Sequence, residues 1–260
     1  MRILLTNDDG VTSRGLLAAK QALDSVGTVS VIAPDSNRSA VGRGITIHRP
    51  LTVVEHTLRD GSTAYATDGT PVDCVRFGAL GLLGEPPDLI VAGINYGVNL
   101  GDDITYSGTV AAAFEGIVLG IPAVAVSQQS PEAGTHFRRQ SGYDFSPAAD
   151  FLPGLVSLIG ERGLPPRTIL NVNVPPPPVT GVSVVRLGRR IYRDRLELES
   201  DEQGRRRYHI YGDDPSYHEE PDTDFHAIAH SRIAVTPVHL DLTSGAGLDE
   251  VGSWPLGPGA

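Results

Sequence analysis

The sequence predicts an α/β protein whose core is a doubly wound, mostly parallel sheet, extended by a C-terminal β-hairpin arm. Three observations lead to this fold class. Short apolar runs alternate with segments of helical character over about the first half of the 260 residues. Turn residues such as glycine and proline separate the two kinds of segment. Residues 189–211 then alternate charged and apolar side chains around a tight turn, which is typical of a hairpin.

The first three segments predict a βαβ unit. Arg2–Thr6 is a short apolar strand, Leu16–Leu23 has helical character, and Val29–Ala33 is a second strand that ends at Pro34. Two parallel strands joined by a helix require a right-handed crossover. The chain therefore begins with the building unit of a parallel sheet.

The same alternation continues through the first half. Thr70 is placed as the N-cap of a helix, and Asp88–Gly93 is predicted as a strand. A helix over Ser107–Gly120 follows, and Ala123–Ser127 is the next strand. Repeated strands and helices in this order predict a Rossmann-like core, which we place at residues 1–180.

The second half has a different character. The segment "TILNVNVP" is one more strand, and residues 181–245 form a C-terminal segment that contains a protruding hairpin at about 189–211 and a return strand. An isolated two-stranded hairpin is marginal in water, so we expect this arm to pack on another subunit, the alternative being a solvated hairpin. The Gly/Pro-rich residues 246–260 are predicted to be a disordered tail.

Composition and charge exclude several classes of protein. The net charge of −10 lacks the basic footprint of a nucleic-acid scaffold, so no stable nucleic-acid complex is expected. Cys74 is the single cysteine, which rules out an intrachain disulfide and a cysteine zinc cluster. The sequence has neither an apolar run of membrane-spanning length nor a secretory type of N-terminus, so we expect no membrane partner and a cytoplasmic address.

Polar residues follow three of the predicted strands. Residues 7–10, 35–39 and 94–103 come after these strands, and ligands of parallel α/β sheets bind at the carboxyl ends of strands. Asp8 and Asp9 stand side by side and would repel each other, unless a divalent cation lies between them. Oxygen ligands favour Mg²⁺ or Mn²⁺ over zinc. The competing interpretation of these two acids alone is an exposed Asp-Asp-Gly turn.

A predicted anion site lies at the start of the helix that begins near Ser107. Ser107 is the candidate N-cap, and Gly108 allows a ligand to approach the backbone closely. Free N–H groups at a helix N-terminus bind anions, so Ser107, Gly108 and Thr109 are candidate phosphate-binding residues. A metal ion beside such a helix start is an arrangement suited to phosphoryl transfer.

Several sequence blocks together resemble the SurE family of survival proteins. The blocks run from the first residues to about Pro175 in the family's order: "ILLTNDDG", "APDSNRSAVGRGIT", "TDGTPVDCV", "PDLIVAGINYGVNLGDDITYSGTVAAAFEG" and "NVNVP". The resemblance implies a metal-dependent 5′/3′-nucleotidase that acts on nucleoside monophosphates and, in some members, on short polyphosphate. This chain has Ala92 where the family commonly has serine, at a position that we interpret as structural.

The resemblance also implies a metal site and an assembly. It maps the ligands of one divalent cation per subunit, Mg²⁺ or Mn²⁺, to Asp8, Asp9, Ser39 and Asn95. Asn95 would also lie at the substrate. It implies a homodimer or homotetramer that exchanges C-terminal segments. The family pattern does not settle the nucleophile: water with Asp8 or Asp9 as the base and a covalent aspartyl route both stay open.

Other classes of function fit the sequence less well. A haloacid-dehalogenase-type phosphatase needs a second acid two residues after its aspartate nucleophile, but position 10 is Gly10. No G-x-G-x-x-G follows the first strand, which argues against a dinucleotide-binding oxidoreductase. A non-catalytic, metal-dependent nucleotide-binding module remains the alternative to the enzyme.

Overall fold

The computed structural model describes residues 1–131, 142–210, 215–254 and 256–257. In chain order, the strands are β1 Arg2–Thr6, β2 Thr28–Pro34, β3 Val53–Thr57, β4 Thr63–Thr67, β5 Leu89–Tyr96, β6 Ala123–Gln128, β7 Thr168–Val174, β8 Gly181–Val184, β9 Arg190–Ile191, β10 Glu197–Glu202, β11 Arg205–His209, β12 Ser216–Tyr217 and β13 Arg232–His239. The α-helices are α1 Arg14–Leu23, α2 Pro71–Ala79, α3 Gly108–Val118, α4 Ser146–Arg162, α5 Asp224–Ala229 and α6 Gly245–Gly252, and a 3₁₀ helix spans Gly101–Thr105.

Within the described residues, nine strands form one sheet in the order β3-β4-β2-β1-β5-β6-β7-β13-β8. Every neighbouring pair from β4 to β7 is parallel, whereas β3–β4 and β7–β13 are antiparallel. From β1 the chain adds β2 and β4 on one side and β5, β6 and β7 on the other, so the sheet is doubly wound and mostly parallel. The predicted fold class is confirmed.

Helices cover both faces of the sheet. On one face α1 and α4 bury apolar side chains such as Leu16 and Leu152, and on the other α2 and α3 bury Val75 and Val110. Cys74 is fully buried in α2, and burial raises the pKa of its thiol, so it behaves as a small apolar residue. A sheet covered on both faces places its polar chemistry at the strand ends.

The first half of the chain matches the predicted elements closely. Thr70 caps α2 in a capping box, since its hydroxyl accepts from the N–H of Asp73 while Asp73 accepts from the N–H of Thr70. Ser107 caps α3 by accepting from the N–H of Val110 at 3.1 Å. The β3–β4 hairpin was not predicted, because β3 is largely exposed and its residues "VVEHT" show little apolar alternation.

The C-terminal part contains the predicted hairpin in a shorter form. The ribbon is limited to β10 and β11, while β9 pairs with β12 as a separate small sheet. Tyr211, the predicted end of the arm, lies outside the described residues. The predicted disordered tail also differs from the structure, because α6 lies at its start: Ser244 caps this helix by accepting from the N–H of Gly247 at 3.0 Å.

Candidate active site

The turn after β1 is shaped by a single asparagine side chain. Asn7 is fully buried; its Oδ1 accepts from the N–H of Gly10, and its Nδ2 donates to Gly10 O and, at 2.7 Å, to Ser13 Oγ. These bonds tie the turn to the N-cap of α1, where Ser13 Oγ accepts from the N–H of Leu16. The turn that carries Asp8 and Asp9 is therefore fixed at both ends.

Asp8 lies against the N-terminus of α3. Its side chain accepts a 2.6 Å hydrogen bond from Thr109 Oγ1, and Asp8 is only 3% exposed. A Cβ on Gly108 would stand 2.7 Å from the Cβ of Asp8, so only glycine allows this close approach. The loop after β2 reaches the same point, because the N–H of Arg38 donates to the carbonyl of Asp8 at 2.7 Å.

The electrostatic setting of Asp8 favours a cation. Burial raises the pKa of the Asp8 carboxyl, while hydrogen bonds from the Thr109 side chain and from the backbone of Thr109 and Gly108 lower it. In the described part of the chain, no lysine, arginine or histidine forms an ion pair with Asp8. A buried carboxylate of this kind is stabilised by a bound metal ion.

Asp9 faces a polar cleft. Its Oδ2 accepts from the N–H of Tyr96 at 3.1 Å, which joins the turn after β1 to the end of β5. Asp9 also lines a cleft of about 400 Å³ together with Thr12, Ser13, residues 35–37 and Tyr96. The two adjacent acids thus lie in different settings, with Asp8 against α3 and Asp9 at the wall of an open space.

The other two predicted ligands lie at the end of β5 and on the loop after β2. Asn95, 9% exposed at the end of β5, donates from Nδ2 to the carbonyl of Gly97 at 2.9 Å. This bond occupies the amide nitrogen of Asn95. The Oδ1 atom of Asn95 receives no hydrogen bond from the described residues. Ser39 is exposed, and its N–H donates to Asn37 Oδ1 at 2.7 Å. Ser39 directly follows Arg38, the residue bonded to Asp8.

The predicted phosphate-binding residues are placed at the start of α3, where they face Asp8. Ser107 is the N-cap, Gly108 touches the Asp8 side chain, and Thr109 donates its hydroxyl to the Asp8 carboxylate. From the sequence, Gly108 was expected to let a ligand approach the backbone. In the structure, the side chain that approaches Gly108 closely is that of Asp8. Thr109 orients a candidate metal ligand, a role that sequence reasoning missed.

The donor set fits a hard divalent cation. Asp8, Asp9, Ser39 and Asn95 all offer oxygen, the ligand that Mg²⁺ and Mn²⁺ prefer. Among the residues that the structure describes, no three histidine, cysteine or acidic side chains are grouped as a metal site. His226 and His230 have ring centroids 4.1 Å apart, but no third such ligand joins them there. A cation at this rim therefore needs the serine and asparagine oxygens as well.

A buried asparagine network holds the loop between β5 and α3. The side chains of Asn171 and Asn173 on β7 donate to the carbonyl of Asn99 at 2.9 and 3.0 Å. Asn173 Oδ1 accepts from the N–H of Asn99, and the Asn99 side chain donates to Ser127 Oγ on β6. Two asparagines in the apolar strand "TILNVNV" were a signal in the sequence, since buried amides need partners.

A second set of contacts ties the same loop to the C-terminal part of the chain. Arg190 Nε donates to Asp103 Oδ2 at 2.9 Å in a fully buried ion pair, and the Arg190 guanidinium lies 4.7 Å from the ring centroid of Phe225. Asp224 accepts from the N–H groups of Gly101 and Gly188, both at 2.8 Å. The 3₁₀ helix before α3 is therefore held in place by residues that lie about 90 or more positions later in the sequence.

No helix in the described part of the chain is both long and apolar enough to cross a membrane. Comparison with known proteins gives the relationship of the chain. Residues 3–194 match the family described as survival protein SurE. The chain is 53% identical to the 5′-nucleotidase SurE of Rubrobacter xylanophilus over 99% of this chain and 98% of that protein. It is 49% identical to the protein of the same name from Chloroflexus aggregans, over 98% and 99%.

A solved structure agrees with the sequence comparison. The crystal structure of the SurE protein from Aquifex aeolicus superimposes with a TM-score of 0.79 at 36% identity, covering 96% of this chain and 98% of that one. The sequence blocks, the doubly wound sheet and the rim that gathers Asp8, Asp9 and Asn95 lead to the same conclusion: the chain belongs to the SurE family.

Proposed function

We propose that this chain is a divalent-cation-dependent nucleotidase, which removes phosphate from nucleoside 5′-monophosphates and also from 3′-monophosphates and short polyphosphate. Relatives of nearly full length, up to 53% identical, carry the name 5′-nucleotidase SurE. The observation that carries the proposal is the buried Asp8 carboxylate beside Asp9, at the strand ends where α3 begins.

The residues at the rim divide the work of binding. Asp8 and Asp9 would hold the cation, and Asn95 and Ser39 would add neutral oxygens. A bound divalent cation supplies a Lewis acid that offsets phosphate charge and lowers the pKa of water. Thr109 keeps the Asp8 carboxylate in one orientation through its 2.6 Å hydrogen bond. The positive end of α3 favours negative charge at the same place.

Asp9 is the better candidate for the base. Thr109 and the start of α3 engage the carboxylate of Asp8, whereas Asp9 lines the open cleft. From that wall, Asp9 can accept the proton of a water molecule that attacks the phosphorus from the cleft. The N–H of Tyr96 fixes one Asp9 oxygen at 3.1 Å and so orients the carboxylate.

A substrate panel tests the activity. We expect phosphate release from 5′- and 3′-mononucleotides in the presence of Mn²⁺ or Mg²⁺, and slower release from tripolyphosphate. At a Mn²⁺ concentration high enough to offset the altered ligand, the Asp9→Asn variant should still bind nucleotide but turn over at least about 100-fold more slowly, the usual contribution of a general base. Glu55→Gln is the control, because Glu55 is exposed on the edge strand β3.

The alternative is a metal-dependent nucleotide-binding module without catalysis. Both functions give nucleotide binding that needs the cation, so binding alone does not separate them. Phosphate release that rises linearly with protein concentration and is lost in Asp9→Asn supports the enzyme. Tight binding of 5′-AMP with no release over many hours, under every cation tried, would establish the module instead.

A further inference from the structure

We propose that Arg43 is a positioning residue of the candidate cation site: through its ion pair with the buried Glu115, it holds the loop after β2 so that Ser39 can join the ligands. This inference rests on the proposed function, because Ser39 matters here as a ligand of the proposed cation. Arg43 and Glu115 are not ligands themselves. Their role follows from the way in which they join the loop after β2 to α3.

Glu115 is a buried charge on the helix whose start forms part of the site. It lies on α3 and is only 2% exposed. A carboxylate in such a place needs charged or hydrogen-bonding partners. Arg43 Nη2 donates to Glu115 Oε2 at 3.2 Å, and Arg76 Nη2 lies 2.5 Å from Glu115 Oε1. Because Arg43 belongs to the loop after β2 and Arg76 to α2, one carboxylate connects α3 to two other parts of the fold.

The loop after β2 crosses from the end of β1 to the start of α3. The N–H of Arg38 donates to the carbonyl of Asp8 at 2.7 Å, and the N–H of Gly42 donates to the carbonyl of Tyr106 at 3.1 Å. Tyr106 immediately precedes the N-cap of α3. Ser39 lies between these two bonds, in a short span that bridges the two parts of the rim.

Arg43 directly follows this span and fixes it with a charge. Backbone hydrogen bonds in an exposed loop open easily in water. Release of Arg43 from Glu115, by contrast, takes a charged partner away from a buried carboxylate, which is unfavourable. The same helix also holds the other side of the site, since Thr109 at its start donates to the carboxylate of Asp8. α3 therefore fixes the loop of Ser39 relative to Asp8.

A double-mutant cycle with Ser39 tests whether Arg43 acts through this ligand. Calorimetric titration with Mn²⁺ is carried out on the parent, Arg43→Met, Ser39→Ala and the double variant. We expect Arg43→Met to lower Mn²⁺ affinity by about tenfold, the lower end of the effect of an outer-shell partner. Ser39→Ala should also lower the affinity. In that background Arg43→Met should have little further effect, because the ligand that it positions is already gone.

Arg76→Met separates positioning from neutralisation of the Glu115 charge. It removes the other arginine from the same carboxylate, but Arg76 lies on α2 and not on the loop, so this variant should bind Mn²⁺ like the parent. Arg43→Lys keeps the positive charge and should recover most of the affinity. Arg43→Gln lacks the charge, and it keeps the test decisive if Arg43→Met does not fold.

The results distinguish this inference from the proposed function. Parental affinity in Arg43→Met or in Ser39→Ala, equal losses in Arg43→Met and Arg76→Met, or a loss that persists in the Ser39→Ala background would overturn the role of Arg43 alone. A parent that binds no Mn²⁺ would overturn the cation site, and with it both this inference and the proposed function. A parent that binds Mn²⁺ but releases no phosphate from 5′-AMP contradicts the proposed function alone.

Discussion

Asp8 shows how residues far along the chain prepare one side chain for a cation. The carboxylate is buried, and its hydrogen bond from Thr109 spans 101 positions of sequence. Burial raises the pKa of Asp8, so the free protein holds this charge at a cost that a bound cation would offset. The oxygen of Thr109 is therefore as much a part of the candidate metal site as the ligands are.

The Thr109→Val variant tests this role. Valine keeps the shape of threonine but lacks the hydroxyl that orients Asp8, so we expect Mn²⁺ affinity to fall by about 10- to 100-fold, the usual effect of an outer-shell partner. Thr109→Ser retains the hydroxyl and should stay close to the parent. Calorimetric titration with Mn²⁺ measures both. Equal affinity in the valine variant and the parent would show that the hydroxyl has no part in cation binding.

Glu220 provides a pH-dependent contribution to stability outside the site. Hydrogen bonds from Arg186 and Arg189 hold the pKa of the Glu220 carboxyl at about 2. In the unfolded chain the pKa of a glutamate carboxyl is about 4.3, so the folded state binds this proton more weakly than the unfolded state does. The ion pairs therefore stabilise the protein fully above the unfolded pKa, and their contribution disappears as the pH falls towards about 2.

A comparison with Glu220→Gln measures that contribution. The parent should be more stable than the variant at pH 7, and the difference in the free energy of unfolding should shrink between about pH 5 and pH 2. Urea denaturation at several pH values gives both quantities. A difference that stays constant down to pH 2 would be inconsistent with a depressed pKa at Glu220.

At the scale of elements, the loop between β5 and α3 connects two parts of the candidate site. It begins just after Asn95, at the end of β5, and ends at Ser107, and it is held by the asparagine network on β7 and by the buried Arg190–Asp103 pair. Tyr192 adds a further hydrogen bond, from its hydroxyl to Asp103 Oδ1 at 2.9 Å. The C-terminal part of the chain thus helps to position the rim that carries the candidate active site.

Replacing Arg190 should destabilise the protein strongly. Arg190→Met leaves the Asp103 carboxylate buried without its charged partner, for which about 3–5 kcal/mol is expected. The double variant Arg190→Met/Asp103→Leu removes both charges, so its free energy of unfolding should fall by less than that of the single variant. Arg193→Met, an exposed arginine nearby, is the control and should lie within about 0.5 kcal/mol of the parent. Urea denaturation measures the free energy of unfolding of each protein. A single variant that is no less stable than the double variant would contradict a stabilising role for the buried ion pair.

The elements that sequence patterns predicted are those with strong local signals. β1 and β5 are apolar runs, and α2 and α3 have clear N-caps; the bounds of β1, β5 and α3 and the start of α2 were each placed to within a few residues of those observed. The β3–β4 hairpin and α6 were not predicted, because β3 is an exposed edge strand and α6 buries no residue. Without a buried face, a segment has little apolar periodicity to read.

The candidate site divides in the same way. Local patterns predict Asp8, Asp9 and the start of α3, because a strand end or an N-cap can be recognised from a few adjacent residues. The contacts of Thr109 with Asp8 and of Arg190 with Asp103 join positions 101 and 87 residues apart. No local pattern predicts such pairs; the topology of the sheet and the path of the C-terminal segment bring them together.

At the scale of the whole molecule, the hairpin β10–β11 carries exposed apolar side chains. Leu198 pairs directly with Tyr208 across the two strands, and Leu196 and Ile210 extend the strip. These four side chains are 44–69% exposed in the single chain. We expect a second subunit to cover this strip, since a lone ribbon with so little buried surface is marginal in water.

Shortening the arm tests the assembly. A variant in which a short glycine linker replaces Asp194–Tyr208 should shift sedimentation velocity profiles towards smaller species, and the double variant Leu196→Ser/Leu198→Ser should act in the same direction. The parent at equal concentration is the reference. If all three proteins sediment identically, any oligomer of this chain is held together elsewhere.

Metal reconstitution of the Asp8 site tests the central claim most directly. The parent, Asp8→Asn and the exposed control Asp24→Asn are stripped with chelator, and phosphate release from 5′-AMP is followed while Mn²⁺ is added back. We predict no release in excess chelator, full recovery in the parent and the control, and a weaker Mn²⁺ response with lower turnover in Asp8→Asn. Full activity of the parent in excess chelator, or an Asp8→Asn variant that recovers like the parent, would contradict a cation-dependent nucleotidase built on Asp8.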